Sequence, residues 1–286
     1  MIAVVTGATR GGGRGIAVEL GAIGATVYVT GRSSGTSRSP MDRPETIEET
    51  AAMVDAAGGT GIPVQVDHND PRQVNRLADR LDTLDLLVNG VWGGDPLTDW
   101  SHPLWEQDLE TGLQLLRNAV ETHIVTSHAL IPKLIANGRG LIVEMTDGNT
   151  ARYRGSFFYD LAKHSVIRLA QAQAHELRPY DVAAVALTPG FLRSEAVLEH
   201  FKTTEQDWRS TTDPHFARSE SPAYLGRAVA ALVLDPEIAR HSGRALDTAS
   251  LAREYGFTDT DGTQPDFPAY WAAELEPEFG PLGAPL

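Results

Sequence analysis

At 286 residues, with 42% hydrophobic and 22% charged side chains, the chain has the material for a substantial core and lies far from compositions that stay disordered. Its formal net charge of −14 repels phosphate backbones and anionic headgroups, which argues against nucleic acid or a membrane surface as partner. No cysteine is present, so disulfides, thiolate nucleophiles and zinc ribbons are excluded.

The opening residues Met1 to Gly7 have no basic flank and too short an apolar run for a signal peptide. They read as a buried strand over 2–6. Nothing approaches the roughly 20 apolar residues that span a bilayer, so a soluble, cytoplasmic protein is expected. Further strand-length apolar runs follow at 26–30, 62–66, 84–91, 140–145, 182–188 and 244–247, and helical periodicity at 14–23, 46–57, 71–81, 112–137, 157–178 and 223–234. This alternation predicts an α/β fold: a Rossmann-type, doubly wound parallel sheet of about seven strands between two helical layers, with right-handed crossovers. One domain covers 1–255. Extra chain at 33–45, 92–111 and 191–221 follows strand carboxyl ends, where ligands bind in such sheets, and the last two stretches read as substrate walls. The tail at 256–286, rich in Pro, Gly and acids, reads as packed on the surface or frayed.

The segment Thr6-Gly7-Ala8-Thr9-Arg10-Gly11-Gly12-Gly13 links the first strand to the first helix. Glycines at 7, 11 and 13 let the backbone approach a pyrophosphate, which would sit on the free N–H groups at the helix start. An NAD site needs a carboxylate about 20 residues further on to bond the ribose. No Asp or Glu occurs between Glu19 and Asp42; Gly31 and Arg32 stand at the end of the second strand instead. With Arg10, Arg32 makes a cationic pocket suited to a 2′-phosphate, so NADP(H) is expected over NAD(H).

Tyr159 and Lys163 are four apart at the start of a helical segment and share one face. A phenol of ordinary pKa about 10 is a poor proton donor–acceptor at neutral pH, and a neighbouring ammonium favours the phenolate.

Taken together these motifs resemble the short-chain dehydrogenase/reductase family, classical type, over about the first 250 residues. Thr6 to Gly13 matches its Thr-Gly-x-x-x-Gly-x-Gly turn. Asp67, with His68 beside it, matches the acid that holds the adenine, and Asn89-Gly90 resembles the Asn-Asn-Ala-Gly segment with its second Asn lost. Tyr159 and Lys163 match the catalytic Tyr-x-x-x-Lys, and Pro189-Gly190 with Ser194 resembles the Pro-Gly-x-x-x-Thr stretch at the nicotinamide. Thr9-Arg10, Ala174-His175-Glu176-Leu177-Arg178 and Leu251-Ala252-Arg253-Glu254-Tyr255-Gly256 are similar to a carbonyl reductase branch. The resemblance implies NADP(H)-dependent hydride transfer to a ketone or quinone-like carbonyl, or the reverse, with Tyr159 as acid/base, in a homodimer or homotetramer. His123 and His128, five apart, fall on different helix faces, and no His-Glu-x-x-His pattern occurs, so no metal site is expected.

Two departures stand out. The family's serine, which holds the substrate oxygen after the fifth strand, is absent from Glu144-Met145-Thr146-Asp147-Gly148. Spacing from Tyr159 selects Thr146, and matching the strand end selects Asp147. The family's helix asparagine corresponds to Asn118 only if a small bulge shifts the register by one residue. The missing serine also motivates an alternative, a catalytically weak or inactive NADP(H)-binding sensor or scaffold of the same fold.

Overall fold

The computed structural model describes residues 1–38, 41 and 43–286. Part of the 33–45 extension, at residues 39–40 and 42, lies outside these. The strands are β1 (Ile2–Val5), β2 (Thr26–Gly31), β3 (Thr60–Gln65), β4 (Leu86–Asn89), β5 (Gly140–Met145), β6 (Val182–Thr188) and β7 (Ala245–Asp247). They form one parallel seven-stranded sheet in the order β3-β2-β1-β4-β5-β6-β7. The helices are α1 (Gly11–Ala22), α2 (Ile47–Ala57), α3 (Pro71–Ala78), α4 (Leu109–Leu116), α5 (Thr122–Asn137), α6 (Phe157–Leu177), α7 (Glu195–His200), α8 (Pro222–Leu234), α9 (Thr248–Tyr255), α10 (Phe267–Tyr270) and α11 (Glu276–Phe279). The doubly wound α/β architecture is therefore the one the alternating pattern predicts.

Both faces of the sheet are covered, so its central strands are buried throughout and mostly apolar: every residue of β4 and of β6 is buried. One core packs Val5, Val27 and Val29 against Ile16, Leu20 and Val229. Val4, Leu87 and Ile142 meet Leu77, Leu130 and Leu177 in the other. At about 1.5–3 kcal/mol per buried aliphatic side chain, these two layers fix the strand ends that carry the site. β3 lies at an edge and starts at Thr60, two residues before its apolar run, with exposed residues and Pro63 tolerated as edge positions allow.

Local chemistry sets the helix ends. Thr46 caps α2 by accepting from the Glu49 N–H at 3.1 Å, and Ser221 does the same for α8 from Tyr224. The helix expected at 112–137 starts earlier, at Leu109, because the Asp108 side chain accepts from the Thr111 N–H at 2.8 Å. It also contains a π-helical turn at Arg117–Glu121, which inserts a residue between α4 and α5. The segment 256–286 folds back onto the body: the Ala151 N–H donates to the Ala284 carbonyl at 2.9 Å and the Leu286 N–H to that of Asn149 at 3.0 Å. Among the described residues no helix is long and apolar enough to cross a membrane.

Candidate active site

A cleft of about 610 Å3 runs along the carboxyl ends of the strands. At one end, Gly7 turns the chain out of β1 at φ +65°, and an added Cβ would lie 2.4 Å from the Gly90 carbonyl oxygen, so only glycine fits. The α1 N-terminus that follows already holds an anion. The Gly11 N–H donates to Glu195 Oε2 at 2.7 Å, while Arg14 Nη1 lies 3.6 Å from Glu195 Oε1. A carboxylate thus sits at the positive end of the helix dipole, where a phosphate would be favoured for the same reason.

Thr9, Arg10, Gly13, Arg32, Asp67 and His68 also border the cleft. Arg10 Nη1 is buried with no hydrogen-bond partner among the described residues, 3.8 Å from Glu45 Oε2, and burial holds its guanidinium below the usual arginine range. Arg32 accepts from Gln65 Nε2 on its backbone oxygen and extends its side chain along the cleft. Asp67 Oδ1 accepts from the Asn69 N–H at 3.0 Å. His68 is committed to the interior: its ring nitrogens meet Thr30 Oγ1 at 2.9 Å and Thr126 Oγ1 at 2.7 Å, and burial pushes its pKa down to about 3.

Two expected cofactor residues are not on the cleft wall. Gly31 is buried under Thr9, whose Oγ1 would lie 2.5 Å from an added Cβ, so a side chain there has no room. Asn89 is fully buried and donates from Nδ2 to Ser127 Oγ and Glu144 Oε1, both at 2.9 Å. Glu144 in turn receives Gln173 Nε2 at 2.9 Å and faces His123 Nδ1 at 2.6 Å, a polar knot that ties β4 and β5 to α5 and α6.

Pro189, Gly190 and Ser194 line the cleft beyond β6. Ser194 caps α7, accepting from the Val197 N–H. Behind the turn, buried Glu220 Oε2 accepts from the Gly190 N–H at 3.0 Å and from Thr248 Oγ1 at 2.8 Å, and burial raises its pKa to about 8.

At the other end, α6 presents Tyr159 and Lys163 to the cleft as their spacing requires. Trp92 and Trp100 flank the phenol at ring-centroid distances of 5.2 and 4.9 Å. Lys163 Nζ lies 3.7 Å from the Trp92 ring centroid, and burial lowers its pKa to about 8. The Tyr159 O–H donates to Asp147 Oδ2 at 2.6 Å. Burial first, and then the Asp147 charge, drive the phenol pKa well above its ordinary value. Arg154 Nη2 occupies the other oxygen of Asp147, at 2.5 Å.

Thr146 and Asp147 therefore differ in geometry. The Thr146 hydroxyl donates to the Lys163 carbonyl oxygen at 2.8 Å, tying β5 to α6, whereas the Asp147 carboxylate touches the phenol. Asn118 lies in the π-helical turn, where a one-residue bulge was needed to align it. Its side-chain oxygen accepts from Gln114 at 2.9 Å and Asn69 at 3.3 Å, and its backbone carbonyl accepts from Thr122 Oγ1 at 2.7 Å. Sequence reasoning missed Arg154, Glu195 and Glu220. It also missed the wall built by Phe267, Pro268 and Leu282. For Glu195 the signal was present: it adjoins Ser194, which the Pro-Gly-x-x-x-Thr match had singled out.

The family model described as short chain dehydrogenase matches residues 1–205. Dehydrogenase/reductase SDR family member 1 of Mus musculus is 34% identical over 271 residues, covering 91% of this chain and 83% of that protein. A short chain dehydrogenase from Mycobacterium thermoresistibile superposes with a TM-score of 0.77 at 22% identity, over 93% of this chain and 91% of that one. A putative NAD(P) dependent gluconate 5-dehydrogenase from Beutenbergia cavernae, solved with bound NADP at low occupancy, gives 0.66 at 25% identity, over 86% and 94%. The chain belongs to the short-chain dehydrogenase/reductase family of nicotinamide-dependent oxidoreductases.

Proposed function

We propose that this protein is an NADP(H)-dependent reductase of a ketone or quinone-like carbonyl, with Tyr159 as proton donor. The observation that carries the reading is the pairing of Tyr159 and Lys163 on one face of α6, both in the cleft that begins at the α1 N-terminus. Residues at that terminus fit a nucleotide phosphate: the Gly11 N–H already binds a carboxylate, and the buried Arg10 Nη1 lacks a hydrogen-bond partner among the described residues. Arg10 and Arg32, with no acid at Gly31, favour a 2′-phosphate over two ribose hydroxyls. NADPH supplies a hydride when bound.

The chain's own contribution is positional and electrostatic. Gly11 leaves room for the pyrophosphate, Gly13, whose added Cβ would lie 2.5 Å from the Gly7 carbonyl oxygen, lets α1 pack against the β1 turn, and the Pro189-Gly190 turn, braced by Glu220, borders the nicotinamide. Tyr159 gives its proton to the carbonyl oxygen. Lys163 holds positive charge beside the phenolate that remains, which is worth most where Trp92 shields the pair from water. Asp147 keeps the phenol protonated before substrate enters, which suits a donor better than a base. Exposed Leu109, Leu113, Ile124 and Leu161 lie on α4, α5 and α6, and support self-association of a soluble protein through those helices.

A second reading, a binding protein with little chemistry, is favoured by the Tyr159–Asp147 bond, because a captured phenol proton is harder to deliver. A screen of ketones, diketones and quinones for NADPH consumption separates the two. The reductase reading expects turnover that falls about 10³-fold in Tyr159→Phe. Tight NADPH binding without turnover of any substrate favours the binding protein.

A further inference from the structure

We infer that Arg154 supplies the hydrogen bond to the substrate's carbonyl oxygen, the task a serine hydroxyl performs in the family, and that Asp147 is its positioning residue. The inference rests on the reductase reading and assigns the missing donor within that site.

Carbonyl reduction needs a donor beside the phenol, because negative charge gathers on oxygen as the carbonyl carbon receives hydride. The nearby hydroxyl and carboxylate do not provide one. Thr146 spends its proton on the Lys163 carbonyl. An ionised Asp147 has no proton to give, and both its oxygens accept, one from Tyr159 and one from Arg154. Arg154 and Tyr159 are therefore bound to opposite oxygens of a single carboxylate, so that Nη2 and the phenol oxygen each lie one hydrogen bond, 2.5 and 2.6 Å, from Asp147.

Arg154 borders the cleft and is held in place from two sides. Its Nη2 binds Asp147, and its backbone N–H donates to Asp160 Oδ1 at 2.8 Å, at the start of the helix that carries Tyr159. The neighbouring Gly148 has φ +81°, and an added Cβ would lie 2.9 Å from Arg154 Nη1, so the glycine leaves space for the guanidinium. Nη1 and Nε make no hydrogen bond among the described residues, and Nη1 is the N–H group left to meet a substrate oxygen. A guanidinium stays charged at every working pH, unlike a hydroxyl, and its donors are stronger.

In the step this implies, the carbonyl carbon accepts the hydride from NADPH and the π pair moves onto oxygen. That oxygen takes the Tyr159 proton, whose bond has turned from Asp147 Oδ2 to the substrate. Arg154 Nη1 donates to the same oxygen while Nη2 keeps the Asp147 carboxylate from turning toward it. The phenolate left behind is reprotonated from water.

The test is a double-mutant cycle between Arg154→Met and Asp147→Ser, read as kcat on the best carbonyl substrate, with the NADPH Kd and Tm of each variant measured alongside. In the wild-type background Arg154→Met is expected to lower kcat about 10²-fold, the loss of one oxyanion donor, with the NADPH Kd changed less than about twofold. In the Asp147→Ser background a hydroxyl donor is restored, and the same change is expected to cost less than about fivefold. Equal losses in both backgrounds would show that Arg154 acts through folding or packing and overturn the inference. So would a kcat for Arg154→Met within about threefold of wild type. A wild type that binds NADPH but reduces no carbonyl overturns the reductase reading and this inference together, whereas an active wild type with an additive cycle overturns the inference alone.

Discussion

Asp147 accepts the Tyr159 hydroxyl at 2.6 Å on one oxygen and the Arg154 guanidinium at 2.5 Å on the other, so a carboxylate stands beside the phenol where the family places a neutral serine. Burial lowers the Lys163 pKa to about 8, and the Asp147 charge works against that fall. Reduction should therefore be level below about pH 8 and decline above it as Lys163 loses its proton. In Asp147→Ser both Lys163 and Tyr159 lose a neighbouring negative charge, and both pKa values drop. The alkaline limb of the kcat–pH profile should move to lower pH, and oxidation of the alcohol product should accelerate; an unmoved limb would rule out electrostatic coupling.

Glu195 holds the Gly11 N–H that a pyrophosphate would need. A dinucleotide bound there would have to displace this carboxylate and then tolerate its charge. Glu195→Gln should therefore tighten NADPH binding by about 10-fold, equivalent to about 1.4 kcal/mol. Fluorescence titration of the variant measures this directly, and weaker binding would mean that Glu195 helps to seat the nucleotide.

Arg32 extends along the cleft beside Gly31. If it grips the 2′-phosphate, Arg32→Ala should weaken NADPH binding by about 10–100-fold, as loss of a charged hydrogen bond does, and leave NADH unchanged. Equal losses for both nucleotides would remove the preference for NADP(H).

How far all this was legible differs from residue to residue. β5 and β6 were readable to the residue because each is a mostly apolar run of strand length between helical segments, interrupted only by Glu144 in β5 and closed by Thr188 in β6. The Gly7–Gly13 turn and the Tyr159–Lys163 pair were readable because their spacing is local. Thr146 and Asp147 were not distinguishable, since nothing in the sequence sets how the 146–156 loop bends toward α6. The wall at Leu282 was invisible for a different reason: its backbone oxygen accepts from Thr150 Oγ1, 132 positions earlier, and no periodicity encodes such a contact. Asn89 and His68 fall within family-like motifs by position, yet their side chains meet buried partners that only the assembled sheet and α5 provide.

Glu220 offers a test independent of catalysis. Its folded pKa of about 8 lies above the ordinary 4.5, so the folded chain keeps a proton that the unfolded chain releases. Stability should then fall as pH rises from about 4.5 to about 8. Glu220→Gln removes this dependence and should gain about 3.5 kcal/mol over wild type at pH 8 relative to pH 5. Denaturant titrations at the two pH values provide the check, and parallel curves for both proteins would place the Glu220 proton elsewhere.

In the proposed reaction a hydride reaches a carbonyl carbon within reach of the Tyr159 phenol. The most direct measurement uses NADPH carrying deuterium at its transferable position, with mass spectrometry of the alcohol formed from a reducible ketone. The wild type should place one deuterium on the former carbonyl carbon of each alcohol molecule, and Tyr159→Phe should label about 10³-fold more slowly at unchanged NADPH affinity. Label that never reaches the product, or that reaches it equally fast without the phenol hydroxyl, would contradict it.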